Sequence, residues 1–217
     1  MEWIDCIMIS MHLGTCRGFK GIVVKAAQYC DFPTSSSMNN EVHPILIIGA
    51  GPVGLTMAIL LRMQGIPIRL IETKTEYTTS SRGTAAQIRE LELLSFIGVL
   101  DEVIEHSTEP YNMRLYSSDG ITPLKDFQWS SSIDNDPTVP YTTLRTISQA
   151  DLEAALRARL HSVGGKVELS TSLVNLVQLD NGVEAEISYT NGLDGEHTST
   201  TSVFSFVVAA DGAKGKS

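Results

Sequence analysis

The stretch ILIIGAGPVGLTMAILLRMQGIPIRLIE, residues 45–72, decides the fold of this chain. Ile45 to Ile48 form a continuous apolar run, which is typical of a strand buried on both faces of a parallel sheet. Apolar residues then recur at helical spacing from position 55 to position 63, and Gly65 stands where a helix C-cap is expected. Residues 66–72 predict a second parallel strand, which completes a βαβ unit.

Three glycines lie between the first predicted strand and the helix, with the spacing G-x-G-x-x-G. In such a turn the first glycine allows a tight bend, the second lets a pyrophosphate approach the backbone, and the third lets the helix pack against the sheet. Free backbone N–H groups at the start of the helix favour phosphate without any lysine, and proline suits the first turn. The predicted cofactor-binding loop is Gly49, Ala50, Gly51, Pro52, Val53 and Gly54. The alternative is a structural glycine turn.

Glu72 ends the second predicted strand, about 20 residues beyond the glycines. A carboxylate at this place accepts hydrogen bonds from ribose hydroxyls and favours an unphosphorylated ribose. The pattern therefore favours FAD or NAD over NADP at this site. The alternative is a solvated charge at the end of a strand.

Further elements follow along the chain. Residues 85–96 predict a second helix ended by Gly98, and Ser148 with Asp151 predicts a capping box for a helix that continues to residue 160. The pair Asn181-Gly182 predicts a hairpin turn, and an apolar strand follows near residues 204–212.

The chain divides unevenly. Residues 1–43 do not fit the pattern of the cofactor-binding fold and are interpreted as a leader that we expect to be disordered, with Met38 as a candidate true start. The alternative is that they form an additional element that packs on the core. Residues 44–217 are predicted to form the cofactor-binding domain. Within it, residues 110–146 are broken into short strand-like pieces by turn residues, which predicts the start of a β-rich subdomain.

Composition excludes several classes of partner. Sixteen basic and 25 acidic residues give a net charge of −9, which argues against nucleic acid and against an anionic membrane surface. No apolar run reaches about 20 residues, so no membrane span is expected. The three cysteines all precede Met38 in no disulfide or zinc spacing, which favours a reducing, cytoplasmic location. The histidines are scattered, so no metal site is predicted.

Four segments in order carry a family resemblance: residues 47–72, SRGTAAQIRELELLSFIGVLDEVIE (81–105), TISQADLEAALRARL (146–160) and VVAADGAKGKS (207–217). Together they resemble the N-terminal portion of FAD-dependent aromatic-ring monooxygenases of the para-hydroxybenzoate and phenol hydroxylase type. The resemblance implies an α/β fold: a Rossmann-like FAD-binding βαβ domain with a parallel sheet, plus a β-rich inserted part of a substrate subdomain. It also implies that NAD(P)H reduces FAD and that oxygen from O2 hydroxylates an aromatic or similar small substrate.

The resemblance adds four cofactor-binding residues. An arginine at the position of Arg82 reaches the flavin cofactor in the family, a glutamine matching Gln149 touches FAD, and Asp211-Gly212 resembles a fingerprint associated with FAD and the nicotinamide donor. Each has an alternative interpretation. Arg82 can be a surface arginine, Gln149 a polar residue in a first helical turn, and Asp211-Gly212 a turn that ends a strand. The residues after Gly212 depart from the usual pattern. No catalytic residue is assigned.

A later Gly-Asp motif of the family and most of its substrate domain are not found in these 217 residues, so we expect an incomplete fold. The exposed apolar sheet that this implies predicts poor solubility or a homodimer. The alternatives are a truncated, non-catalytic flavin-binding remnant, or a related FAD-dependent reductase or halogenase.

Overall fold

The computed structural model describes residues 43–79, 85–128, 138–191, 196–213 and 215. Residues 1–42, Arg82 and Trp129 lie outside these ranges. The strands are β1 (Ile45–Ile48), β2 (Ile68–Ile71), β3 (Asn112–Tyr116), β4 (Pro123–Gln128), β5 (Val167–Glu168), β6 (Thr171–Leu179), β7 (Gly182–Asn191), β8 (Glu196–Phe204) and β9 (Phe206–Ala209). The helices are α1 (Pro52–Met63), α2 (Ile88–Phe96), α3 (Leu100–Glu105) and α4 (Gln149–Ser162).

A parallel sheet with the strand order β5-β2-β1-β9 forms the centre of the fold. Ile45 of β1 pairs in parallel with Ile68 of β2 on one side and with Phe206 of β9 on the other. The predicted βαβ unit and parallel sheet are therefore confirmed. The chain fills the sheet first to one side of β1 and then to the other, so the strand order reverses beside β1.

The central sheet is buried on both faces, as the apolar run of β1 predicts. On one face Ile47 joins a core formed with residues of all four helices. On the other face Leu46 and Ile48 pack with Ile187 and Phe204 of the antiparallel sheet β6-β7-β8. Helices, parallel sheet and antiparallel sheet thus form three layers, and the core lies in the two spaces between them.

The Ser148 side of the predicted capping box is present. The Ser148 side chain accepts a hydrogen bond from the Asp151 backbone N–H at 3.1 Å, which satisfies one of the free donors at the start of α4. The apolar stripe of this helix is buried, and it consists of Leu152, Ala155, Leu156 and Leu160.

Two boundaries differ from the sequence prediction. The helix predicted over residues 85–96 begins at Ile88, because Ala86 is extended and exchanges backbone hydrogen bonds with Arg145 at 2.8 and 3.0 Å. The predicted hairpin is present, but its turn is residues 180–181, and Gly182 is the first residue of β7, paired with Leu179. A Cβ at Gly182 would lie 2.6 Å from the Phe204 carbonyl oxygen, so this glycine permits close strand approach rather than the turn itself.

Within the described parts of residues 110–146, two strands are present, in keeping with the predicted strand-like pieces. Strands β3 and β4 form a two-stranded antiparallel ribbon that belongs to neither larger sheet. Several of its large apolar side chains are exposed, among them Met113, Leu115 and Phe127. Assignment of this ribbon to a substrate subdomain stays a prediction.

Candidate functional site

The first glycine of the loop is required by both its backbone and its surroundings. Gly49 has φ +98°, a region that side chains disfavour, and its N–H donates to the Ile71 carbonyl at 2.8 Å. A Cβ at Gly49 would lie 2.5 Å from the carbonyl oxygen of Ala210, just beyond β9. The turn after β1 is therefore pressed between the ends of β2 and β9.

The other two glycines have opposite surroundings. A Cβ at Gly54 would lie 1.9 Å from the Gly49 carbonyl oxygen, so only glycine lets α1 start this close to the loop. A Cβ at Gly51, by contrast, would meet no atom within 4 Å. Gly51 thus leaves open space above the loop, which is where a ligand can approach the backbone.

Hydrogen-bond donors line the start of α1. The first helical bond runs from the Leu55 N–H to the Gly51 carbonyl at 2.9 Å, and Pro52 occupies the first helical position without an N–H. Among the described residues, the N–H groups of Gly51, Val53 and Gly54 have no acceptor. These donors and the positive end of the helix dipole favour an anion here.

Glu72 is held against the glycine loop. One carboxylate oxygen accepts from the Ala50 N–H at 3.0 Å, and the other accepts from the Lys74 N–H at 3.0 Å. Each oxygen of a carboxylate has a second lone pair, so both can still accept from a ligand hydroxyl. Because the bond to Ala50 spans 22 residues of sequence, no local pattern predicts it.

Asp211 and Gly212 lie at the end of β9, beside the same loop. The Ala210 N–H donates to the Ile48 carbonyl at 2.8 Å, and the position of a Cβ on Gly49 lies 2.8 Å from the Asp211 Cα. Gly212 has φ +79° and accepts from the Gly215 N–H at 3.0 Å, which closes a turn. The Asp211 carboxylate lies over the Gly215 backbone, where a Cβ would be 2.0 Å from its Cγ.

Gln149 is the first residue of α4, in the helical layer. Its Nε2 donates to Glu153 Oε1 at 2.7 Å. Glu153 is only 4% exposed, although its residue type does not distinguish it from the exposed polar residues of this helix. Its place four residues from both Gln149 and Arg157 was the available signal. Arg82, the remaining predicted cofactor residue, lies outside the described residues.

The glycine loop, Glu72 and Asp211 meet at one edge of the sheet. They follow β1, β2 and β9, and carboxyl ends of parallel strands share an edge. In open α/β sheets the ligand crevice lies at this edge, where the strand order reverses, which here is between β1 and β9. The structure thus brings together predicted residues from three separate parts of the chain.

A profile of the FAD binding domain family matches residues 42–217. The chain belongs to this family. An FAD-binding domain accounts for a glycine loop, a strand-end carboxylate and a parallel sheet in one site, and FAD is the cofactor that the family is defined by. Within the described ranges, no grouping of His, Cys, Asp and Glu side chains could hold a metal ion, and every helix falls short of what a bilayer crossing requires.

Two curated relatives of this FAD-binding domain are named as a monooxygenase and a hydroxylase. The chain is 25% identical over 172 residues to a flavin-dependent monooxygenase of Mycobacteroides abscessus, covering 78% of this chain and 35% of that protein. It is 30% identical over 186 residues to aklavinone 12-hydroxylase of Streptomyces purpurascens, covering 81% and 34%. The chain thus spans about a third of the length of the curated relatives it matches.

The fold is also similar to that of a solved flavoprotein. The flavin-dependent monooxygenase PieE, crystallised with FAD and substrate, superposes with a TM-score of 0.68 at 24% identity. The match covers 79% of this chain and 30% of that structure. This likeness confirms the α/β fold of an FAD-binding domain with a parallel sheet.

Proposed function

We propose that this chain holds the FAD of a monooxygenase that uses NAD(P)H and O2 to hydroxylate an aromatic or similar small molecule. The observation that carries the proposal is the open space at Gly51, at a helix start whose backbone N–H groups have no acceptor among the described residues, next to Ala50, which the Glu72 carboxylate holds. The relatives named as a monooxygenase and a hydroxylase support the reaction class.

The loop residues fit the pyrophosphate of FAD. The N–H groups of Gly51, Val53 and Gly54 offer hydrogen bonds at a helix start, and no side chain at Gly51 stands between them and the ligand. Ala50 contributes differently, because its N–H is already donated to Glu72 and fixes the loop relative to that carboxylate. Pro52 begins the helix without adding a donor that would need a partner.

The remaining predicted residues complete the cofactor contacts in this proposal. Glu72 accepts from the ribose hydroxyls of the adenosine, since its carboxylate has lone pairs beyond its two backbone bonds. Asp211 and Gly212, which lie beside Gly49, contact FAD from the β9 side. Gln149 reaches the cofactor from the start of α4, and Arg82 supplies a cation near the pyrophosphate.

FAD, when bound, supplies the chemistry: it takes a hydride equivalent from the nicotinamide donor and activates O2 for transfer to the substrate ring. The described residues bind and orient the cofactor and keep its phosphates at the sheet edge. We assign no catalytic acid or base among them. The aromatic substrate and the nicotinamide donor are parts of the proposal that concern the whole protein.

The test is a turnover experiment on the protein as its source makes it, loaded with FAD. We expect NADH or NADPH to bleach the flavin absorbance anaerobically, and labelled O2 to leave one labelled atom in a hydroxylated aromatic product. Bleaching without a labelled product would show a reductase instead. Failure of both the chain and the native protein to retain FAD would overturn the proposal.

A further inference from the structure

A row of polar side chains runs along one face of α4, beside its apolar stripe. Gln149, Glu153 and Arg157 are spaced four residues apart, so they lie one above another on the helix. The Glu153 side chain is 6% exposed and that of Arg157 is 19% exposed. Buried charges are costly to a fold unless they are well paired and hydrogen-bonded, so this row requires an explanation.

Glu153 fixes which way the Gln149 amide is turned. The side chain of Gln149 has a donor end and an acceptor end, and either can face a neighbour in principle. A carboxylate only accepts hydrogen bonds, so Glu153 Oε1 accepts from Gln149 Nε2 at 2.7 Å. The flipped amide is disfavoured, because it would place the Gln149 carbonyl oxygen against the carboxylate. The Gln149 carbonyl end is thereby held away from Glu153.

Arg157 extends the row to Tyr77. Its Nη1 lies 3.8 Å from Glu153 Oε2, and its guanidinium carbon lies 4.0 Å from the centre of the Tyr77 ring. The buried Nη1 has no hydrogen-bond partner in the described part of the chain, so charge and the face of the ring hold it in place. Tyr77 belongs to the segment that follows Glu72. The row thus links the start of α4 to the segment after the proposed ribose acceptor.

We infer that Glu153 is a positioning residue for FAD. Arg157, which stacks on Tyr77, holds Glu153 in place, and Glu153 holds the Gln149 amide in the one orientation that contacts the cofactor. This inference rests on the proposed function, in which Gln149 contacts FAD. The competing explanation is that the row only stabilises the helical layer. The two explanations differ in what happens when the charges are removed without loss of packing.

The test removes both charges together from the full chain. In Glu153→Met with Arg157→Met, packing volume is kept, and such replacement of a buried ion pair is often neutral for stability. The matched control is Arg159→Met on the same helix, because Arg159 Nε donates to the Ile97 carbonyl at 2.7 Å and its Nη1 to Ser162 Oγ at 3.3 Å, bonds made at the far end of α4 from Gln149. FAD affinity is measured by flavin fluorescence, and the environment of the bound flavin by visible circular dichroism. The unfolding temperature is measured separately, on the protein without FAD.

We expect the double variant to weaken FAD binding by about five- to tenfold, the loss of one oriented hydrogen bond, with a changed flavin dichroism. The Arg159→Met control should lower the unfolding temperature and keep the wild-type affinity. A double variant that binds FAD within about twofold of wild type overturns the inference while leaving the proposed function intact.

Two further outcomes are decisive. If the double variant folds poorly, Glu153→Gln decides, since a glutamine keeps the shape but accepts both orientations of Gln149. Weakened FAD binding then supports the inference, and wild-type binding overturns it. If the wild-type chain itself does not bind FAD, the proposed function fails and the inference fails with it.

Discussion

Replacement of Gly54 by alanine tests the contact on which the glycine loop depends. The new Cβ would lie 1.9 Å from the Gly49 carbonyl oxygen, against an ordinary limit of about 3 Å, so backbone must move by about 1 Å. The loop cannot easily give way, because the Gly49 N–H is bonded to Ile71 and the Ala210 carbonyl closes the other side.

The magnitude follows from two opposing effects. Alanine in a helix is favoured over glycine by up to about 1 kcal/mol. Overpacking against fixed backbone costs about 3 kcal/mol, the upper part of its usual range. We therefore expect Gly54→Ala to lower the free energy of unfolding by about 2 kcal/mol, or the unfolding temperature by about 4–8 °C for a chain of this size.

Gly51→Ala is the matched control for this prediction. Its Cβ meets no atom within 4 Å, so the free energy of unfolding should fall by less than about 1 kcal/mol, the cost of alanine at an N-cap. The same methyl group occupies the proposed pyrophosphate space, so FAD affinity should fall at least about tenfold. Urea unfolding and FAD titration measure the two effects. Wild-type stability of Gly54→Ala, or wild-type FAD affinity of Gly51→Ala, would refute the reasoning.

Three further predictions follow from other contacts. Glu72→Gln leaves the N–H of Ala50 or Lys74 facing an amide NH2, and urea unfolding should show a loss of about 1–3 kcal/mol together with weaker FAD binding. Hydrogen bonds from the β3–β4 turn, that of the Ser117 side chain first, lower the pKa of Asp119. Its contribution to the stability of the β3–β4 ribbon should therefore be present near neutral pH and disappear as the pH falls through that lowered pKa, and an NMR titration of the ribbon measures this loss. Leu156→Ala should lower the free energy of unfolding by about 2–5 kcal/mol in calorimetry, since this leucine is 1% exposed.

Local sequence patterns were enough for the βαβ unit. The apolar run of β1, the helical spacing of α1 and the glycines between them are all set within 28 residues, and the structure has each where the pattern puts it. The cap at Ser148 was equally local. Such features depend on neighbours along the chain, which a sequence displays directly.

Long-range pairing accounts for what was missed. The start of α2 was wrong because Ala86 pairs with Arg145, far along the chain. The sequence pattern predicts Glu72 as a ligand acceptor, but its bond to the Ala50 N–H appears only when β1 and β2 are side by side. Glu153 looked like an ordinary polar residue of an amphipathic helix until packing of the helical layer buried it.

The central claim is that the glycine loop and Glu72 hold the adenosine diphosphate half of FAD. The most direct test is an equilibrium titration of the chain with FAD, followed by competition with ADP and with FMN. We expect one FAD per chain, displaced by ADP and not by FMN, because FMN has neither the pyrophosphate nor the adenosine ribose. Binding of FMN as tight as that of FAD, with no displacement by ADP, would contradict it.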